Sequence, residues 1–289
     1  MLPGECGGCG RPRTVLCPAC RAALGGSLPR RVRPVPEPPG LPAVYAAAPY
    51  TDAVRAILLA HKERGALGLG RALGEALAGA VGVGVGEGGE GEGPPAGPPS
   101  ALLLVPVPSA PRATRSRGHD PTRRIALAAA GALRRSGTAA RVAAVLRHRR
   151  PVVDQSGLDS RQRLGNVVGA LGVTAAGKRV LAGGRVVLVD DLVTTGASLA
   201  EAARAVREAL TDVYDGAAGG GVKARSAVLG PGAGQGPRGR WRTAGSGGPG
   251  GGERAGRGGI GVVCAAVVAA SPDSFLNKPE LSVKSRRCR

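Results

Sequence analysis

The chain has 289 residues, enough to bury one good core plus a small appendage. Its 40 Lys plus Arg against 20 Asp plus Glu give a formal charge of +20, but only five of the 40 are Lys and 50 residues are Gly, a compositional bias under which charge alone decides little about function. Five aromatic residues leave little for stacking single strands, so nucleic-acid affinity would be phosphate-driven and salt-sensitive, and no apolar run approaches the roughly 20 residues of a membrane span.

In chain order, residues 1–25 hold two tight pairs, Cys6-x2-Cys9 and Cys17-x2-Cys20, among Gly7, Gly8, Gly10 and Pro18. Four thiolates at this spacing close a tetrahedral zinc site, and so short a segment has too little apolar surface to fold unaided. Two disulfides are the alternative. Met1 to Glu5 shows neither the cationic nor the apolar region of a secretory signal, so the expectation is a reducing, cytoplasmic setting and structural zinc. Residues 26–42 read as a Pro-rich connector, and Ala43 to Ala48 as a strand. Thr51 or Asp52 caps a helix to about Arg64, with Val54, Ile57, Leu58 and His61 on one side, and a second helix follows from Leu67 to Val81.

Residues 87–100 are Gly, Glu and Pro and read as a flexible loop. A buried strand from Leu102 ends in Pro106-Val107-Pro108 and an arginine-rich turn, followed by a helix from about Thr122 to Arg135, a strand from Arg141 to Leu146 and a polar loop to Asn166. Residues 43–215 thus form an α/β domain with a mostly parallel sheet and flanking helices. Residues 216–259 hold 18 Gly in 44 positions and read as a disordered insertion, apart from a short strand at Ser226 to Leu229. Residues 260–271 return as a last buried strand, with Cys264 as a small core residue, and 272–289 form a basic tail containing Cys288.

The most informative run is Val186 to Ser198. Four apolar residues without alternation suit a parallel strand covered on both faces, and ligands bind beyond the carboxyl ends of such strands. Asp190 and Asp191 stand there side by side. Two adjacent carboxylates in apolar surroundings repel each other and need donors, either ribose hydroxyls or a hydrated divalent cation. Thr194, Thr195 and Gly196 supply hydroxyls, free amides and a position tolerant of positive φ, and with Ala197 and Ser198 at the start of the next helix they can cradle a phosphate. The plainer reading is a buried strand that ends in a helix-capping Asp.

This run resembles the signature of the type I phosphoribosyltransferases. Upstream, the Pro-Val-Pro loop is followed by Ser109, Arg112, Arg115, Arg117, Gly118, His119 and Asp120, and then by Arg147, Gln155, Gly157, Leu158, Arg163, Asn166 and Val167. With the cysteine tetrad in front, this order is similar to the competence protein ComF family. The resemblance covers most of the chain between Cys6 and Leu210, with His119-Asp120 where the family has Phe-Asn and Gln162 where it has Glu.

It implies that Asp190 and Asp191 hold the ribose hydroxyls of phosphoribosyl pyrophosphate and that Thr194 to Ser198 hold its 5-phosphate. Ser109 and the amide of Ala110 would contact the pyrophosphate, with Arg112 and Arg117 as charge partners. Magnesium would bridge pyrophosphate oxygens and ribose hydroxyls, and segment 147–166 would close as a flap. A solvated surface charge is the plain alternative for each Arg. No general base declares itself among His61, His119 and His148.

Three functions compete at this level. One is transfer of phosphoribose to a base or amine, another is an accessory role in DNA uptake or processing with single-stranded DNA or a helicase partner, and the third is ligand sensing. The chain has no Gly-x4-Gly-Lys-Ser/Thr phosphate loop, so motor activity would belong to a partner.

Overall fold

The computed structural model describes residues 4–87, 101–150, 165, 167–218 and 262–275. Gln155, Gly157, Leu158, Gln162, Arg163 and Asn166, the loop 88–100, residues 219–259 with the strand expected at Ser226 to Leu229, and the tail from 276 with Cys288 lie outside the described residues.

Six strands form one sheet: β1 (Arg30–Val32), β2 (Val44–Pro49), β3 (Leu102–Pro106), β4 (Ala140–Val142), β7 (Arg185–Val193) and β8 (Val262–Ala270). Their order is β1-β2-β8-β7-β3-β4, parallel throughout except for the antiparallel edge strand β1. Strands β5 (Leu146–His148) and β6 (Leu171–Val173) make a separate antiparallel pair. The α/β architecture with a mostly parallel sheet is therefore present. In β8, Ala265 to Ala270 are all fully buried, which only a strand covered on both faces achieves.

Helices α2 (Asp52–Glu63), α3 (Gly70–Glu87) and α5 (Pro121–Arg135) cover one face with α1 (Pro18–Gly25); α6 (Ala175–Leu181) and α7 (Ala197–Ala218) cover the other. Helix α5 shows the local logic. Asp120 caps it by accepting from the Arg123 amide at 3.1 Å, Pro121 occupies the first turn, and Ile125, Ala126, Ala129, Ala130 and Leu133 repeat at helical spacing on the buried side. The small residues have a packing purpose: a Cβ on Gly74 of α3 would lie 2.4 Å from Ala128 Cβ, so this crossing tolerates only glycine. With the contact so close, Leu73 and Leu77 are sealed completely, each worth about 2 kcal/mol of burial.

Several expectations need correction. The strand expected at 141–146 is two short strands in different sheets, because the chain leaves β3 after the Ala143 amide bonds Leu104 O and turns to pair with β6. The second helix starts with a 3-10 turn at Leu67–Leu69 and runs on to Glu87, past Val81, since Val83 and Val85 still pack on the core. Helix α7 extends to Ala218, beyond the boundary at 215. The arginine-rich turn contains a helix, α4 (Pro111–Arg117), none of whose residues is buried.

The connector is not a spacer. Its residues 30–32 form β1, and Pro34 and Pro38 are buried. Among the described residues, no helix is long and apolar enough to cross a membrane.

Candidate functional site

Neighbouring strands β3 and β7 send their following helices to opposite faces, α5 to one and α7 to the other. Diverging helices leave a crevice at the carboxyl ends of the two strands, the place where parallel sheets bind ligands. A cleft of about 710 Å³ occupies this point. Register explains its depth: the last β3–β7 pair is Pro106 with Val189, and β7 then continues alone on that side to Val193. Asp190 and Asp191 therefore sit within β7, on the stretch that has lost its β3 neighbour, and not just after the strand.

All eleven site residues expected around the acids line this cleft: Asp190, Asp191, Thr194, Thr195, Gly196, Ala197, Ser198, Ser109, Ala110, Arg112 and Arg117. They come from two segments, 109–117 and 190–198, separated by some 80 positions of sequence.

The acids are coupled and already have donors. Asp190 Oδ1 accepts from the Asp191 amide at 2.8 Å and from Thr122 Oγ1 at 3.3 Å. Asp191, only 6% exposed, takes Lys62 Nζ on Oδ2 at 2.9 Å. Burial and then repulsion from Asp191 raise Asp190 well above the usual carboxylate range, against the pull of Lys62. The Asp191 carboxylate beside it raises Lys62 above its ordinary value, so the ammonium is fixed as a cation.

The turn after β7 has the geometry of an anion cradle. Gly196 has φ +74°, and a Cβ there would come within 3.1–3.3 Å of Leu41, Pro34 and Pro38, so the connector buttresses this turn from behind. The Ala200 amide bonds Gly196 O at 2.9 Å to start α7, which leaves the first-turn amides and the Thr and Ser hydroxyls at the cleft. Arg207 of α7 adds a bond to the Gly40 carbonyl of the same connector.

Opposite lies the Ser109 loop. Its Val107 amide bonds Val189 O at 2.9 Å, and His148 Nε2 lies 3.2 Å from Pro108 O. A carbonyl only accepts, so Nε2 carries the proton and donates. Arg112 is exposed on the rim. Arg117 lines the cleft and is also held in a two-pronged pair by Glu63, through Nε and Nη2 at 2.8 Å each, which latches α4 to the end of α2.

The cleft is also lined by polar residues that the sequence does not point to, Lys62, Ser116, Thr122 and His148. The only available signal was for Lys62, one of five lysines among 40 cations, at the polar end of an otherwise apolar helix face. Its neighbour His61 is fully buried, with neither ring nitrogen bonded among the described residues, 6.0 Å from the His119 ring, and burial lowers it to about 4.

The cysteines form a second site. The Sγ atoms of Cys6, Cys9, Cys17 and Cys20 all lie within 4.8 Å of one another, and Cys9 and Cys17 are 3.7 Å apart. That is far beyond a disulfide bond of about 2.05 Å and near the roughly 3.8 Å edge of a tetrahedron built on metal–sulfur bonds of about 2.3 Å. The donor set thus fits a structural metal ion. Burial raises the Cys6 thiol, but the amides of Cys17, Cys9 and Gly8 outweigh it and bring it down to about 6, which favours the thiolate a metal needs. The knuckle is docked on the domain: a Cβ on Gly8 would meet Cys20 Sγ at 2.6 Å and Ile57 of α2 at 3.4 Å.

Compared with protein-family models and with curated proteins, the chain matches none.

Proposed function

We propose that the cleft binds a ribose 5-phosphate group, with phosphoribosyl pyrophosphate as its full ligand, in a ComF-like protein with a phosphoribosyltransferase-type domain. The observation that carries this reading is convergence: the acid pair, the Thr-Thr-Gly turn and the Ser109 loop meet on one cleft at the ends of β3 and β7. A phosphate suits the start of α7, two hydroxyls suit the acids, and a pyrophosphate suits the Ser109 loop with exposed Arg112 on its rim. The ion in the cysteine cluster is zinc in this reading, and any magnesium accompanies the pyrophosphate.

As a transferase, the site would join the anomeric carbon to an amine or base nitrogen while the bond from that carbon to the pyrophosphate oxygen breaks. The bonding electrons leave with pyrophosphate, the acceptor's proton passes to solvent, and the carboxylates stabilise positive charge building on the ribose.

The test compares ribose 5-phosphate with 2-deoxyribose 5-phosphate by calorimetry. Loss of one of two paired hydroxyls should weaken binding at least tenfold, about 1.4 kcal/mol. Equal affinity for the two sugars contradicts the assignment of the acids.

A second reading is favoured by the exposed Arg112, Arg115, Arg123 and Arg124 on α4 and α5, which fit the phosphates of a single DNA strand. It predicts affinity for oligonucleotides that falls steeply across a salt series. A helicase or other competence partner belongs to the same reading.

A further inference from the structure

We propose that Lys62 is the resident counter-ion of the acid pair, so that the carboxylates grip ligand hydroxyls with no divalent cation bound to them. This deepens the sugar-phosphate reading and rests on it.

The geometry of the pair decides the matter. Lys62 Nζ takes Asp191 Oδ2 at 2.9 Å from across the cleft, while Asp190 Oδ1 is used by Thr122 and by the Asp191 amide. Among the described residues no hydroxyl, amide or ammonium donates to Asp190 Oδ2 or to Asp191 Oδ1, and with Asp190 raised a single proton shared between the two acids still leaves lone pairs on both for a ligand. One acceptor oxygen per acid matches two neighbouring hydroxyls, each donating once. The ammonium has two further N–H donors, which can meet the lone pairs of those same hydroxyl oxygens.

A magnesium ion on these carboxylates fits poorly. It would lie within a few ångströms of a fixed positive charge, and the carboxylate oxygens open to it are the same two that the ligand hydroxyls need. The Lys62 side chain is 34% exposed and that of Asp191 only 8%, so the lysine remains open to the cleft while it shields the acid from water. Two neighbours on α2 support the arrangement. Glu63 is bound to Arg117, and His61 is sealed in the core, so Lys62 is the side chain of this helix end that faces the acids. Lys62 accordingly acts on the ligand in two ways, by holding Asp191 and by offering its remaining donors to the hydroxyls.

The test is calorimetric binding of ribose 5-phosphate, which has the hydroxyls and one phosphate but no pyrophosphate to carry a metal, in EDTA and in excess magnesium. The intact chain should bind equally in both, within about twofold. Lys62→Gln should bind at least tenfold more weakly in EDTA and recover most of that loss when magnesium is added to neutralise the exposed acids, while Lys62→Arg stays close to the parent. A merely structural role for Lys62 would not make binding metal-dependent. The inference is overturned if the parent itself needs magnesium, if Lys62→Gln binds as well as the parent in EDTA, or if magnesium fails to restore the variant. Absence of ribose 5-phosphate binding to the parent in either buffer would instead overturn the sugar-phosphate reading, and this inference with it.

Discussion

The cysteine cluster and the carboxylate pair both crowd anionic donors into a small space, but they are balanced in different ways. The cysteines come from fifteen consecutive residues and bring no cation of their own, whereas Asp191 is paired with Lys62, 129 positions away. The first cluster is therefore a local device whose four sulfur donors fit an external ion, and the second is assembled by the fold with a cation of its own already beside it. Helix α2 supports both, with Ile57 against the knuckle and Lys62, little more than one turn later, against the acids.

Two perturbations sharpen this contrast. The larger is expected at the knuckle. Cys17→Ser should abolish metal binding and destabilise the chain by several kcal/mol or more, because structural zinc binds with roughly 10–16 kcal/mol and Cys6, Cys17, Cys20 and Leu24 belong to the main core. Metal analysis should return about one zinc per parent chain and none in the variant, with a markedly lower melting temperature. A variant that melts like the parent would show that the knuckle does not depend on its ion.

The smaller perturbation concerns pH at the other end of α2. His61 is lowered to about 4 by burial, from a usual value near 6.5. Between those values the unfolded chain takes up a proton that the folded chain refuses, so stability contributed by neutral His61 is complete above about pH 6.5 and is lost as pH falls towards 4, by up to about 3 kcal/mol. Denaturant titrations of the parent and of His61→Leu should diverge in their pH dependence across this window by that order. Parallel profiles would mean that the ring is not held neutral in the core.

How much was legible beforehand follows from the same contrast. The cysteine spacing is local, and the four sulfurs do converge. The strand–acid–turn–helix order around Asp190 is also local, so β7 and the start of α7 could be placed from sequence, although the overhang of β7 past β3 could not, since register is set by the partner strand. Lys62, Thr122 and His148 reach the cleft only through the packing of α2, α5 and the β5–β6 hairpin, and no sequence periodicity encodes that. Arg117 shows what spacing alone leaves out: it lines the cleft, and Glu63, 54 positions earlier, also holds its guanidinium. The contacts of the connector with Gly196 are not legible in the sequence, because proline spacing shows no period and they depend on where α7 begins.

The most direct measurement is calorimetric titration of phosphoribosyl pyrophosphate into the parent chain and into Asp190→Asn/Asp191→Asn, with the melting temperature of each recorded. Saturable binding by the parent and a loss of at least a hundredfold, about 2.7 kcal/mol, in a folded double variant is the predicted result. Undiminished binding by that variant, or none by the parent, would contradict the assignment of the cleft.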